Sequence, residues 1–148
     1  LFPESGEREL PVFRQAKHWL EVYFAGKEPA FSVPLHPMGT AFQQRVWDFL
    51  RTIPYGNTAT YGEIAKRLAA ENGLAHLSAQ AVGGAVGRNP ISILIPCHRV
   101  IGADGSLTGY AGGIGRKRAL LTLEREGVVN AAEAIPQAAQ QRSRMRQP

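Results

Sequence analysis

Two capping boxes, Thr40-x-x-Gln43 and Thr60-x-x-Glu63, fix where two helices of this chain must start. In each, the threonine hydroxyl can accept from the amide three residues on, while the Gln or Glu side chain answers the threonine amide. Breakers fix where the helices stop. The first carries Phe42, Val46, Trp47, Phe49 and Leu50 at apolar positions and ends before Pro54; the second turns Ile64, Ala65 and Leu68 inward and finishes ahead of Gly73. Ser78 caps a further helix running through Arg88, so two short helices joined by a turn predict helix-turn-helix geometry. Upstream, Val12, Phe13, Ala16, Trp19, Leu20 and Tyr23 recur at helical spacing over 11–25, closed by Gly26, and Pro29, Pro34 and Pro37 mark 27–39 as a linker. Downstream, Asn89-Pro90 breaks the chain, Ile91 to Ile95 predicts a short extended segment, and 102–106 reads as a loop tip. A last helix is expected over 116–126, with Leu120, Leu121 and Leu123 apolar and Gly127 past its end. From Asn130 onward Ala, Gln and Arg dominate without useful period, which predicts frayed helix or disorder.

A chain of 148 residues, 44% hydrophobic and 20% charged, can bury a core in one or two small domains. No apolar stretch approaches the ~20 residues of a membrane span, and no signal-peptide pattern is present, so no membrane partner is expected. The single cysteine excludes an internal disulfide framework and suits a reducing, cytoplasmic compartment. One cysteine and four scattered histidines give no metal-ligand spacing, so no metal and no cofactor are expected. Charge is uneven: residues 1–36 carry −1, 37–127 carry +4 and 128–148 carry +2. The excess around the cysteine fits a polyanionic partner such as nucleic acid, and a merely solvated basic surface fits nearly as well.

That cysteine lies in Ile95-Pro96-Cys97-His98-Arg99-Val100. A buried, inert thiol is one reading. The other is a reagent, with His98 as a base and Arg99 supplying positive charge that favours thiolate. The helix over 79–87 is also unusual, with three glycines and three alanines in Ala79-Gln80-Ala81-Val82-Gly83-Gly84-Ala85-Val86-Gly87. Glycine costs up to ~1 kcal/mol per position there. So narrow a helix either packs tightly into the core or lets a partner come close, as the DNA minor groove would require.

Six blocks occur in order: Phe42-Gln43-Gln44-Arg45-Val46-Trp47 with Ile53-Pro54-Tyr55-Gly56, Thr60-Tyr61-Gly62-Glu63-Ile64-Ala65, Ala81-Val82-Gly83-Gly84-Ala85, Arg88-Asn89-Pro90, Pro96-Cys97-His98-Arg99-Val100, and Thr108-Gly109-Tyr110-Ala111-Gly112-Gly113. Together they resemble the O6-alkylguanine-DNA alkyltransferase (methylated-DNA–protein-cysteine methyltransferase) family, over roughly 39–126. The resemblance implies an α/β (α+β) fold: a mainly helical C-terminal domain with a winged helix-turn-helix-like element, preceded by a partial N-terminal α/β domain. It divides the chain into 1–36, a remnant of that N-terminal domain and its linker with upstream strands missing; 37–127, the DNA-binding domain with the acceptor cysteine; and 128–148, a flexible basic tail. The opening on Leu1 rather than Met fits a trimmed chain.

The same resemblance implies single-turnover transfer of an alkyl group from O6 of guanine, with O4-alkylthymine left open, onto Cys97. His98 matches the family's base, acting through a water; Glu124 matches the acid that orients the imidazole, and Asn89 the residue that braces the cysteine turn. Tyr110 matches the tyrosine that donates to the departing base. The carbonyls of Cys97 and Val100 and the Ala111 amide match groups that read the purine, with Gly112 allowing its close approach. Tyr61 matches the residue that helps rotate the flipped nucleotide's phosphate. Gln80, Ala81, Gly83, Gly84, Arg88 and Arg99 complete the expected DNA-facing set. The implied partner is double-stranded DNA carrying O6-alkylguanine, bound by a monomer, with clustering on DNA left open. Gln80 stands where many members have an arginine wedge, Ser92 where some have proline, and Glu71 to His76 resembles an insertion. The competing readings are a non-catalytic lesion sensor or helix-turn-helix binding module, and a cysteine peptidase or acyltransferase drawing its histidine from His18, His36 or His76.

Overall fold

The computed structural model describes residues 11–110 and 112–127. Ala111, the first ten residues and the basic tail from 128 on lie outside the described residues. The chain divides into two compact units, one holding residues up to His36 together with those from Glu126 on, the other spanning Pro37–Arg125.

In the first unit, helix α1 (Pro11–Phe24) is amphipathic. Trp19 stacks on the fully buried Tyr23 with ring centroids 5.3 Å apart, as the helical spacing of these residues requires. Gly26, at φ 83°, ends the helix, and its amide donates back to the Tyr23 carbonyl.

The second unit follows the capping signals closely. Helix α2 (Ala41–Leu50) starts at a completed box: Thr40 Oγ1 accepts from the Gln43 amide at 3.1 Å and Gln43 Oε1 from the Thr40 amide at 3.0 Å. Helix α3 (Tyr61–Glu71) repeats the pattern with Thr60 and Glu63. Helix α4 (Ala79–Gly87) begins where Ser78 Oγ accepts from the Ala81 amide at 3.0 Å. Helix α5 (Ile114–Glu126) starts slightly earlier than its apolar period suggests. No described helix is long and apolar enough to cross a membrane.

Helices α3 and α4 form the helix-turn-helix pair, and α2 packs across both. Their shared core is Val46, Trp47 and Leu50 from α2, Ile64, Ala65 and Leu68 from α3, and Val82, Ala85 and Val86 from α4. The Trp47 indole N–H donates to the Ala85 carbonyl at 2.9 Å in this core. Trp47→Phe removes that donor and part of the packed volume. It should lower stability by about 1–3 kcal/mol, read as a lower urea midpoint at unchanged slope; an unmoved midpoint would show that the bond adds nothing.

Two features escape local sequence signals. Strands β1 (Ala59–Thr60) and β2 (Val100–Ile101) pair in parallel, with Ala59 opposite Val100, and so set the start of α3 beside the end of the cysteine turn. At two residues each, they are too short to show any alternation. The extended segment expected over 91–95 is instead a compact turn. Ile93 has φ 73°, and the Leu94 amide donates to the Ser92 carbonyl at 2.9 Å, the arrangement of the rarer, strained γ-turn. Asn89 enforces it: Oδ1 accepts from the Ile91 amide at 3.0 Å and Nδ2 donates to the Ile95 carbonyl at 2.8 Å. A β-branched residue at positive φ costs about 1–3 kcal/mol, which the bonds to Asn89 and burial of Ile95 offset. Apolar content alone suggested a strand; the side chain two residues before the segment overrides it.

Candidate active site

Pro96 makes a second tight turn, at φ −81° and ψ 66°, closed by the Cys97 amide donating to the Ile95 carbonyl at 2.8 Å. Cys97 to Arg99 then form one 3-10 turn ahead of β2. The turn lies deep in the unit, with Cys97 only 7% exposed and His98 fully buried.

His98 points to α5. Its Nε2 meets Glu124 Oε2 at 2.5 Å, with both side chains shut off from solvent. The same carboxylate accepts from Arg99, whose Nε lies 2.8 Å from Oε1 and Nη2 3.1 Å from Oε2. Oε1 also accepts from the Gly56 amide at 3.1 Å. Gly56 sits at φ 81°, a backbone conformation that suits glycine and aims its N–H at the carboxylate. Arg99 completes the cluster by donating from Nη1 to the Ile53 carbonyl at 2.7 Å and lying over the Tyr55 ring.

This corrects two expectations for Arg99. Its charge is paired with Glu124 rather than poised on the thiol, and its buried side chain is not part of a DNA-facing surface. Burial pushes the Cys97 thiol up from its ordinary pKa, only partly opposed by Asn89 and the charge of Lys117. The resting site therefore favours thiol over thiolate, and ionisation needs a base. Burial also pulls His98 down, against the opposing pull of Glu124, so the imidazole is neutral at pH 7 and able to act as that base.

Tyr110 and Tyr61 are half-buried, and burial raises both phenols, with the cysteine's charge adding to the effect. Both are therefore protonated donors at neutral pH. Tyr61 Oη donates to the Thr108 carbonyl at 3.1 Å, and the buried Lys117 Nζ donates to the same oxygen at 2.9 Å. A Cβ on Gly112 would come within 2.6 Å of Tyr110 Cε2, so this glycine lets the ring lie flat against the backbone. Val100 is buried on β2. On α4, Gln80, Ala81 and Gly84 are exposed, as is Arg88 just past its end, and Gly83 lies over the Tyr61 ring.

Sequence reasoning missed Lys117. A signal was present: Lys117 and Glu124 occupy the same inward stripe of α5 as Leu120 and Leu121, at helical spacing. A lysine and a glutamate in an apolar stripe mark buried charges with something to hold.

Fold and site together define a thiol-bearing helix-turn-helix protein whose cysteine shares a buried turn with a carboxylate-held imidazole. Residues 41–126 match the model of the 6-O-methylguanine DNA methyltransferase DNA-binding domain. The chain is 58% identical over 114 residues to the methylated-DNA–protein-cysteine methyltransferase of Mycobacterium tuberculosis, covering 77% of this chain and 66% of that protein. It is 52% identical over 122 residues to the protein of that name from Methanosarcina acetivorans, covering 82% and 75%. Among solved structures it resembles Mycobacterium tuberculosis OGT in complex with DNA, at a TM-score of 0.70 and 57% identity over 77% of this chain and 68% of that one. The chain belongs to the 6-O-methylguanine DNA methyltransferase family, and it spans just under two thirds of the Mycobacterium tuberculosis relative's length.

Proposed function

We propose that this chain repairs duplex DNA by moving an alkyl group from O6 of guanine to its own Cys97, one transfer per molecule. The observation that carries the reading is the 2.5 Å contact of His98 Nε2 with Glu124, directly after the chain's only cysteine. With Nε2 engaged by the carboxylate, Nδ1 is the nitrogen for proton exchange with the thiol. His98 takes the Cys97 proton through a water, Sγ bonds to the alkyl carbon, and the carbon–O6 bond breaks. The electron pair leaves with guanine, and the Tyr110 hydroxyl donates to the purine as charge develops on it. The S–C bond of the resulting thioether breaks only by expelling thiolate, a poor leaving group, so the protein ends alkylated.

The target atom lies inside the duplex and must be extruded at a cost of a few kcal/mol. Tyr61, anchored at the head of α3, takes the role of pressing on the rotating phosphate, and the exposed small-residue face of α4 suits the minor groove. Asn89 braces the cysteine turn. Gln80, exposed in the first turn of α4, takes the wedge position without charge. Gln80→Arg should therefore tighten binding and steepen the slope of log K against log salt by about 0.9. An unchanged slope would remove Gln80 from the interface. The protein acts as a monomer in the cytoplasm, where a lone thiol stays reduced.

The direct test mixes the chain with a duplex carrying one O6-methylguanine and weighs the intact protein. A gain of one methyl group supports the reading. Protein that binds the duplex and stays unmodified would make the chain a lesion sensor instead.

A further inference from the structure

We infer that Arg99 is a positioning residue for alkyl transfer: by neutralising Glu124 and fixing its two oxygens, it holds His98 as an uncharged base with the ring proton on Nε2. The inference rests on the reading of Cys97 as alkyl acceptor. Arg99 grips both carboxylate oxygens, at 2.8 and 3.1 Å, while His98 Nε2 uses only Oε2. Its third nitrogen is tied to the Ile53 carbonyl at 2.7 Å, so the guanidinium cannot swing away without breaking a buried bond. A planar fork with both ends fixed sets the carboxylate plane, and that plane sets the imidazole.

Electrostatics give the fork its second task. The charged groups acting on the His98 ring are Glu124 and Lys117 from α5 and Arg99 from its own turn, while Tyr55 from the preceding loop lies against the guanidinium. With Arg99 in place, the Glu124–Arg99 pair is close to neutral, and burial keeps the imidazole uncharged. Without it, the buried carboxylate keeps the Gly56 amide but loses its counter-ion, and the His98–Glu124 pair takes up a proton that the transfer step needs to place elsewhere. An already protonated imidazole cannot accept from the thiol.

The sign of the pH effect follows. Loss of the guanidinium raises the pH at which the pair gives up its proton, so the acid limb of the transfer rate moves to higher pH. The test measures single-turnover methyl transfer from an O6-methylguanine duplex between pH 5 and 9 for the intact chain, Arg99→Gln and Arg99→Lys. The acid limb should rise by about one to three pH units in Arg99→Gln. Arg99→Lys, which keeps the charge but not the fork, should restore most of the pH profile while remaining slower at its plateau. In the unmutated chain, nitrogen NMR of His98 should show the Nε2-protonated neutral tautomer at pH 7, a measurement that stands even where a variant fails to fold. An unchanged pH profile in folded Arg99→Gln, or an imidazolium at pH 7 in the unmutated chain, overturns the inference. If the unmutated chain transfers no methyl group, the acceptor reading fails, and the NMR result still decides what Arg99 does to His98.

Discussion

Replacing Cys97 with serine should abolish alkyl uptake outright while leaving affinity for the lesion duplex within a few-fold. The intact chain, given excess O6-methylguanine duplex, should gain the mass of one methyl group and no more; Cys97→Ser should gain none. The argument is chemical rather than steric. Serine is close in size and fits a site with only 7% of the residue exposed, so the turn should survive. A hydroxyl, however, is far less acidic than a thiol and a much weaker nucleophile than a thiolate toward an alkyl carbon. Fluorescence anisotropy on the same duplex reads the binding half of the expectation. A methyl group found on Cys97→Ser, or more than one on the intact chain, would place the acceptor elsewhere.

Glu124→Gln should reduce the transfer rate by about 10–100-fold, the scale on which losing a carboxylate that orients a metal-bound imidazole is felt. Glutamine keeps the shape but presents an amide where donors from His98, Arg99 and Gly56 converge. One of its two ends must then set N–H against N–H, and the Arg99 charge loses its counter-ion. Breaking a buried pair in this way destabilises by about 3–5 kcal/mol. Kinetics therefore need to be run well below the variant's unfolding midpoint. DNA affinity should stay nearly intact, because Glu124 is buried on α5 and the face proposed to meet DNA is on α4. Equal losses of binding and transfer would show that Glu124 supports the interface rather than the chemistry.

Much of this could be read from residues close together in the chain. Thr40, Thr60 and Ser78 announced three helix starts because a cap is a local bond, made within three residues. Asn89 was assigned as a brace by the family resemblance, and its bonds are just as local, to partners two and six residues on. What stayed hidden depends on distant partners. Arg99 meets the Ile53 carbonyl 46 positions away, and Glu124 reaches the Gly56 amide across 68. No spacing rule predicts such pairs, so the arginine beside the thiol was assigned to the thiolate and to DNA when its partner is the buried Glu124. The γ-turn at Ile93 was misread for a related reason: its sequence is apolar and β-branched, and its shape is dictated by a side chain outside it. Lys117 could have been suspected from its place among leucines, but only α5's packing gives it the Thr108 carbonyl.

The carboxylate of Glu124 binds the loop ahead of the helix-turn-helix and the loop bearing the sulfur at the same time. Neither loop can breathe independently, since letting go of one strips a buried charge of its partners and drags water onto the other. The two loops are thus latched at a single side chain, and a change that frees one of them loosens the other.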